Sequence, residues 1–118
     1  MTTATLRPYV MRVVFWAALA FAVTMALLPH PPITLSDNDK FQHMLVFGML
    51  TILAVAGYPE AELLRIGERL SFLGALIEVL QSIPSLHRDC DIRDWVADTL
   101  VIVVVLLVVV AYRKRVAI

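Results

Sequence analysis

Within GALIEVLQSI, Gly74 to Ile83, a carboxylate (Glu78) and an amide (Gln81) stand three positions apart in an apolar run. Two other segments repeat the pattern. DNDKFQHMLVFG sets Asp39 and His43 four apart with Lys40 alongside, and RDWVADTL sets Asp94 and Asp98 four apart. Residues three or four apart share one face of a helix, so each segment presents a polar stripe. Imidazole is the side chain that exchanges protons near neutrality, and a carboxylate close by can orient it for general acid–base work. In such a scheme His43 is the base, steered by Asp39, Glu78 or Asp94, and Glu78 is the acid. A metal-assisted version would draw on His43, Glu78 and Asp94, whose ligand types suit zinc or magnesium. No nucleophile is signalled. Ser71, Ser82 and Ser85 lack a strand–turn–helix elbow, and no phosphate-binding loop occurs.

The elements carrying these residues must be helices in lipid. Of 118 residues, 60% are hydrophobic and 17% charged, and mean hydropathy is +0.82. A soluble domain of this size leaves too much surface exposed to hide that apolar content. The formal net charge is zero and no basic block is long enough to track phosphates, so nucleic acid is not an expected partner. Cys90 is the single cysteine, which excludes an internal disulfide. Four apolar stretches, divided by PHPP at Pro29–Pro32, by Gly57-Tyr58-Pro59 and by Pro84, predict transmembrane helices over about 10–28, 41–57, 66–83 and 95–112. The third is the shortest. It draws on Leu63, Leu64 and Ile66, with Arg65 and Arg69 snorkelling to the headgroups. The valine-rich fourth run has strand propensity in water, but an isolated strand in hydrocarbon would leave its backbone unpaired. The first run also resembles a signal peptide, with Arg7 and Arg12 before it and Ala20-Phe21-Ala22 within it. Its length favours a retained helix.

The expected architecture is therefore all-α: residues 1–118 form a single domain, a four-helix transmembrane bundle with both termini on one side. Arg7, Arg12, Arg65, Arg69, Arg113, Lys114 and Arg115 fall on that side, against Lys40, Arg88 and Arg93 on the other. The asymmetry places the termini in the cytoplasm. All three polar stripes then occupy the outward half of their helices. Glu78 stands six residues before Pro84, about 9 Å in from that end. A charge at mid-helix costs about 2.5–3.5 kcal/mol on insertion scales, so such groups turn from lipid toward other helices or a wet cavity. Candidate partners for Glu78 are His43, Arg88 and, with Glu78 protonated, Asp98. Singly, His43 or Gln81 reads as a structural polar residue. As a set, the ionisable groups exceed what packing needs and predict an outward-opening pocket, with Lys40, Arg88 and Arg93 at its rim. Gly48 and Gly74 read as sites of close helix packing. Phe41, Phe47, Trp95 and Trp16 read as packing or interfacial aromatics, and Asp37, Glu60, Glu62 and Glu68 as solvated loop charges.

Taken in order on successive spans, DKFQHMLVFG, GALIEVLQ and RDCDIRDWVADTL resemble the VanZ-like family of small bacterial membrane proteins. The matching residues are Asp39, Lys40 and His43; Gly74, Glu78 and Gln81; Arg88 and Asp94. The resemblance covers roughly residues 37–110. Asp98 stands where that family usually has Asn, and Val101 where a Gly is common. The family takes its name from a protein associated with resistance to the glycopeptide teicoplanin, so the resemblance implies a multi-pass envelope protein of the bacterial inner membrane.

The leading expectation is a non-catalytic pocket of Asp39, Lys40, His43, Glu78, Gln81, Arg88, Asp94 and Asp98. It would bind a lipid headgroup or the end of a cell-wall precursor and influence glycopeptide susceptibility. Lys40 and Arg88 suit a phosphate or carboxylate. The alternative is a membrane-embedded hydrolase or transferase on a lipid-linked substrate, with His43, Glu78 and Asp94 as catalytic residues. No resident cofactor or metal is expected. A scaffold or small transporter is the third class, and the lack of an inverted repeat argues against a transporter monomer.

Overall fold

The computed structural model describes residues 3–27, 39–83 and 92–117. Within them the chain is all-helical: α1 Thr3–Leu27, α2 Asp39–Gly57, α3 Leu63–Gln81 and α4 Ile92–Ala117, with no strand among the described residues. At 1.5 Å per residue, the 25 residues of α1 and 26 of α4 run to roughly 37–39 Å, and the 19 of α2 and of α3 to about 28 Å. Two helices are long and apolar enough to cross a membrane, over Leu6–Leu27 and Ile92–Val116, while Phe41–Gly57 is apolar but shorter.

Helix ends differ from the sequence expectation in ways the chemistry explains. The first helix begins well before residue 10 and runs through Pro8. That proline lies near the free end, where water can serve the carbonyl that loses its donor. The fourth extends both ways, taking in Ile92–Asp94 and the basic Arg113–Arg115 turn, where cations complement the carbonyl end of the helix. The third starts at Leu63, as its extension required, but stops at Gln81 rather than 83. There Ser82 N–H bonds the Val79 carbonyl and Ile83 N–H the Leu80 carbonyl, a tightened final turn just ahead of Pro84. Glu68 lies on α3 rather than in a loop, and is exposed.

The helices alternate in direction. At one end Arg12 Nε donates to the Gly57 carbonyl (2.6 Å) and its guanidinium covers the rings of Tyr9 and Tyr58. At the same end Trp16 Nε1 donates to the Tyr58 hydroxyl, and Arg113 reaches the Pro59 carbonyl. This gathers the start of α1, the α2–α3 turn and the end of α4. At the opposite end Gln81 Nε2 donates to the Ala26 carbonyl, 2.8 Å, bringing the end of α3 to the end of α1. Helix α1 lies chiefly on α2, while α4 packs on both α2 and α3. The seam between α1 and α3 is looser and holds a cleft of about 700 Å³, walled by Phe15, Leu19, Ile66, Leu73 and Leu76, with Arg65 and Arg69 also lining it.

Small residues set the close approaches. A Cβ on Gly48 would stand 3.1 Å from Val101 Cγ1, and one on Gly67 2.8 Å from Leu106 Cδ1. On Gly74 it would meet the rings of Phe47 and Trp95 at 3.4 Å. Gly48 and Gly74 therefore serve helix packing, as expected. The interior is Phe15, Phe47, Leu50, Ala54, Ile66, Leu70, Ile77 and Ile102, accompanied by Thr51, Glu78, Gln81, Asp94 and Asp98. The outside is the reverse of a soluble protein's. Large apolar side chains are exposed on every helix, among them Val13 and Phe21, Met49 and Ile52, Phe72 and Val79, Val104 and Leu107.

Candidate functional site

One end of the α2–α3–α4 triangle collects the polar groups. Each arrives for a local reason: His43 is in the second turn of α2, Glu78 and Gln81 are in the last turn of α3, and Asp94 and Asp98 occupy successive turns of one α4 face. Antiparallel packing brings the starts of α2 and α4 to the end of α3. One donor atom each from His43, Glu78 and Asp94 lie within 4.8 Å of one another. Glu78 and Asp94 are buried and His43 half-buried. Asp98 is 2% exposed, and both Asp94 and Glu78 are near enough for their charges to act on it.

Among the described residues, three polar atoms at this end are buried without a hydrogen-bond partner: His43 Nδ1, Gln81 Oε1 and Asp98 Oδ1. A buried acceptor or donor left unserved costs about 1–3 kcal/mol, so such atoms mark a place where a further group belongs. Gln81 divides its work. Its amide donor ties α3 to α1 through Ala26, and its oxygen stays available. Glu78, Asp94 and Arg93 make further interactions within the chain.

Beneath the site a hydrogen-bonded loop joins α3 to α4. Trp95 Nε1 donates to the Ser71 carbonyl (2.9 Å), Ser71 and Thr99 share a hydroxyl contact at 2.9 Å, and Thr99 Oγ1 donates to the Trp95 carbonyl. Sequence reasoning missed this brace, reading Trp95 only as a packing or interfacial aromatic. The available signal was the four-residue spacing of Trp95 and Thr99 beside that of Asp94 and Asp98. Ser71 is thereby engaged, and Ser82 Oγ is bonded to the Val79 carbonyl. Neither hydroxyl stands as a nucleophile poised by His43.

Of the expected pocket, His43, Glu78, Gln81, Asp94 and Asp98 come to the same end of the fold. The backbones of Asp39 and Lys40 open α2, but their side chains, with Arg88, Ser85 and Cys90, lie outside the described residues. Arg93 is exposed at the start of α4. The fold and site thus define a helical protein with apolar flanks, two helices able to cross a membrane, and a buried imidazole–carboxylate cluster near one end. No protein-family model matches the chain, and no curated protein or solved structure does either.

Proposed function

We propose that the protein is a four-span integral membrane protein of VanZ-like type in the bacterial inner membrane, with its termini in the cytoplasm. In this reading its outward-facing pocket binds a polar headgroup or the end of a cell-wall precursor, and through that ligand influences glycopeptide susceptibility. The observation that carries the reading is the inverted polarity of the fold: apolar side chains outward on all four helices, and Glu78, Gln81, Asp94 and Asp98 buried together. A water-soluble monomer rarely exposes so much contiguous apolar surface. Ionisable groups inside a membrane protein face the bundle interior or a wet cavity and mark ligand or ion sites by default. Helices α2 and α3, near 28 Å, approach the hydrocarbon thickness of about 30 Å once flanking residues snorkel. The positive-inside asymmetry of the sequence supports the orientation.

Mass spectrometry of small molecules retained by the protein in a gentle detergent extract tests the binding reading. Wild type is expected to carry a polar-headed lipid or precursor that the folded Asp94→Asn and Arg88→Ala variants lose. Equal retention by all three contradicts it.

The proximity of His43 to two carboxylates favours a second reading, a hydrolase or transferase on a lipid-linked substrate. With Ser71 and Ser82 engaged elsewhere, water activated by His43 would be the attacking group. Under this reading Glu78→Gln abolishes turnover in a protein that still inserts and binds. Under the first, binding is the only function to lose.

A further inference from the structure

Three carboxylates, Glu78, Asp94 and Asp98, share one buried end of the α2–α3–α4 triangle with the His43 imidazole. A phosphate- or carboxylate-bearing ligand approaching such a floor meets like charge. In a low-dielectric interior that repulsion is far larger than in water. A compact positive ion between the carboxylates would relieve that repulsion at the floor of the site, beyond what cations at the rim can do.

We propose that His43, Glu78 and Asp94 coordinate a divalent metal cation, with zinc the ion that their nitrogen and oxygen donors fit best. The inference rests on the reading of this cluster as a ligand site. Zinc takes His nitrogen and carboxylate oxygen at about 2.0–2.2 Å, which sets neighbouring donors roughly 3.3 Å apart around a tetrahedral ion. Three donors within 4.8 Å of one another reach that spacing through side-chain rotation and a small contraction. The three ligands alone, two ionised carboxylates and a neutral imidazole, carry a charge of −2, which a divalent ion cancels.

A second observation points the same way. Asp98 is 2% exposed, lies one turn from Asp94 on the same helix face, and keeps Oδ1 without a partner. Metal ligands are oriented by an outer ring of hydrogen-bonding groups, and Asp98 is placed to supply one behind Asp94 or a metal-bound water. His43 Nδ1, buried and likewise unpartnered, is free either to ligate or to bond a second group. The site does not need Glu78 or Asp94 to be idle. A carboxylate has two oxygens, and ligating carboxylates are themselves hydrogen-bonded. Three protein ligands leave zinc an open position, the arrangement that admits water or an exogenous oxygen. That position is where a phosphate or carboxylate oxygen of the ligand would bind.

The test uses the full chain in mild detergent, stripped with chelator and titrated with zinc ion alone, with bound metal counted by elemental analysis and affinity read by calorimetry. Because no organic ligand is added, the outcome is independent of the retention experiment. Wild type is expected to take up about one equivalent, since three ligands make one site. The His43→Gln and Asp94→Asn variants should lose stoichiometric uptake while keeping the helical circular dichroism of wild type. Asp98→Asn should weaken affinity roughly 10- to 100-fold, the usual cost of an outer-ring partner. A His30→Gln, His87→Gln double variant controls for the other two histidines and should bind as wild type does. The proposal is overturned if wild type binds no stoichiometric zinc, if folded His43→Gln binds as wild type does, or if only the double variant loses uptake.

Discussion

Trp95 is a tie between two helices as well as a packing aromatic. Its indole N–H crosses to the Ser71 carbonyl, and with Thr99 it closes a ring of contacts directly under Asp94 and Asp98. Interhelical hydrogen bonds in membranes average about 0.6 kcal/mol and reach about 1.7. Trp95→Phe keeps an aromatic ring in place but removes the donor, together with part of the ring volume. It should lower unfolding free energy in detergent by at least about 0.5–1.5 kcal/mol, the loss of one such bond, with the lost packing adding to it. No change in denaturation midpoint would show that the brace contributes nothing. The residue scale is also where sequence reading did best and worst. Glu78, Asp94 and His43 were legible because a charge in hydrocarbon has few places to go and i, i+4 spacing says which face it uses. Gln81 was legible as buried, but not as a tie to Ala26, because the choice of partner depends on how two helices are rotated against each other.

Helix contacts rest on small residues. Gly74 admits the rings of Phe47 and Trp95, so it sets the distance between α3 and its neighbours one turn from Glu78. Gly74→Ala places a methyl at 3.4 Å from both rings and should be tolerated, whereas Gly74→Leu overpacks the junction. Overpacking of this kind costs about 1–3 kcal/mol, read as a lower denaturation midpoint and as loss of any ligand seated between α2, α3 and α4. Equal stability of the Ala and Leu variants would contradict the close approach. Gly48 faces Val101 in the same way. The Val101 side chain is thus accommodated by a glycine on the opposing helix. Helix positions were readable from the apolar runs and prolines, but their ends were not. Helix α1 runs through Pro8, and the Arg113–Arg115 turn is helical because basic side chains suit a helix C-terminus.

At the scale of the whole molecule, hydropathy foretold the inverted polarity, while the pairing of helices came only with the fold. Nothing in the sequence marks the looser α1–α3 seam or its apolar cleft, because both follow from how α1 leans on α2. The proposed orientation places Cys90, the one cysteine, in an outward loop. A membrane-impermeant thiol reagent should therefore label it in intact spheroplasts. Labelling only after lysis would reverse the orientation and put the pocket on the cytoplasmic side.

Central to all of this is the meeting of α2, α3 and α4 side chains at one point. Short-range cross-linking in native membranes tests it most directly, using a Cys90→Ser background and a thiol-bridging reagent of a few ångströms' reach. The paired variant His43→Cys, Asp94→Cys should cross-link within one chain, and so should Glu78→Cys with Asp94→Cys. Met49→Cys with Phe72→Cys, both on the apolar exterior, should not. If the inner pairs fail to bridge although each cysteine reacts singly, or bridge no faster than the outer pair, the imidazole and carboxylates do not share a pocket.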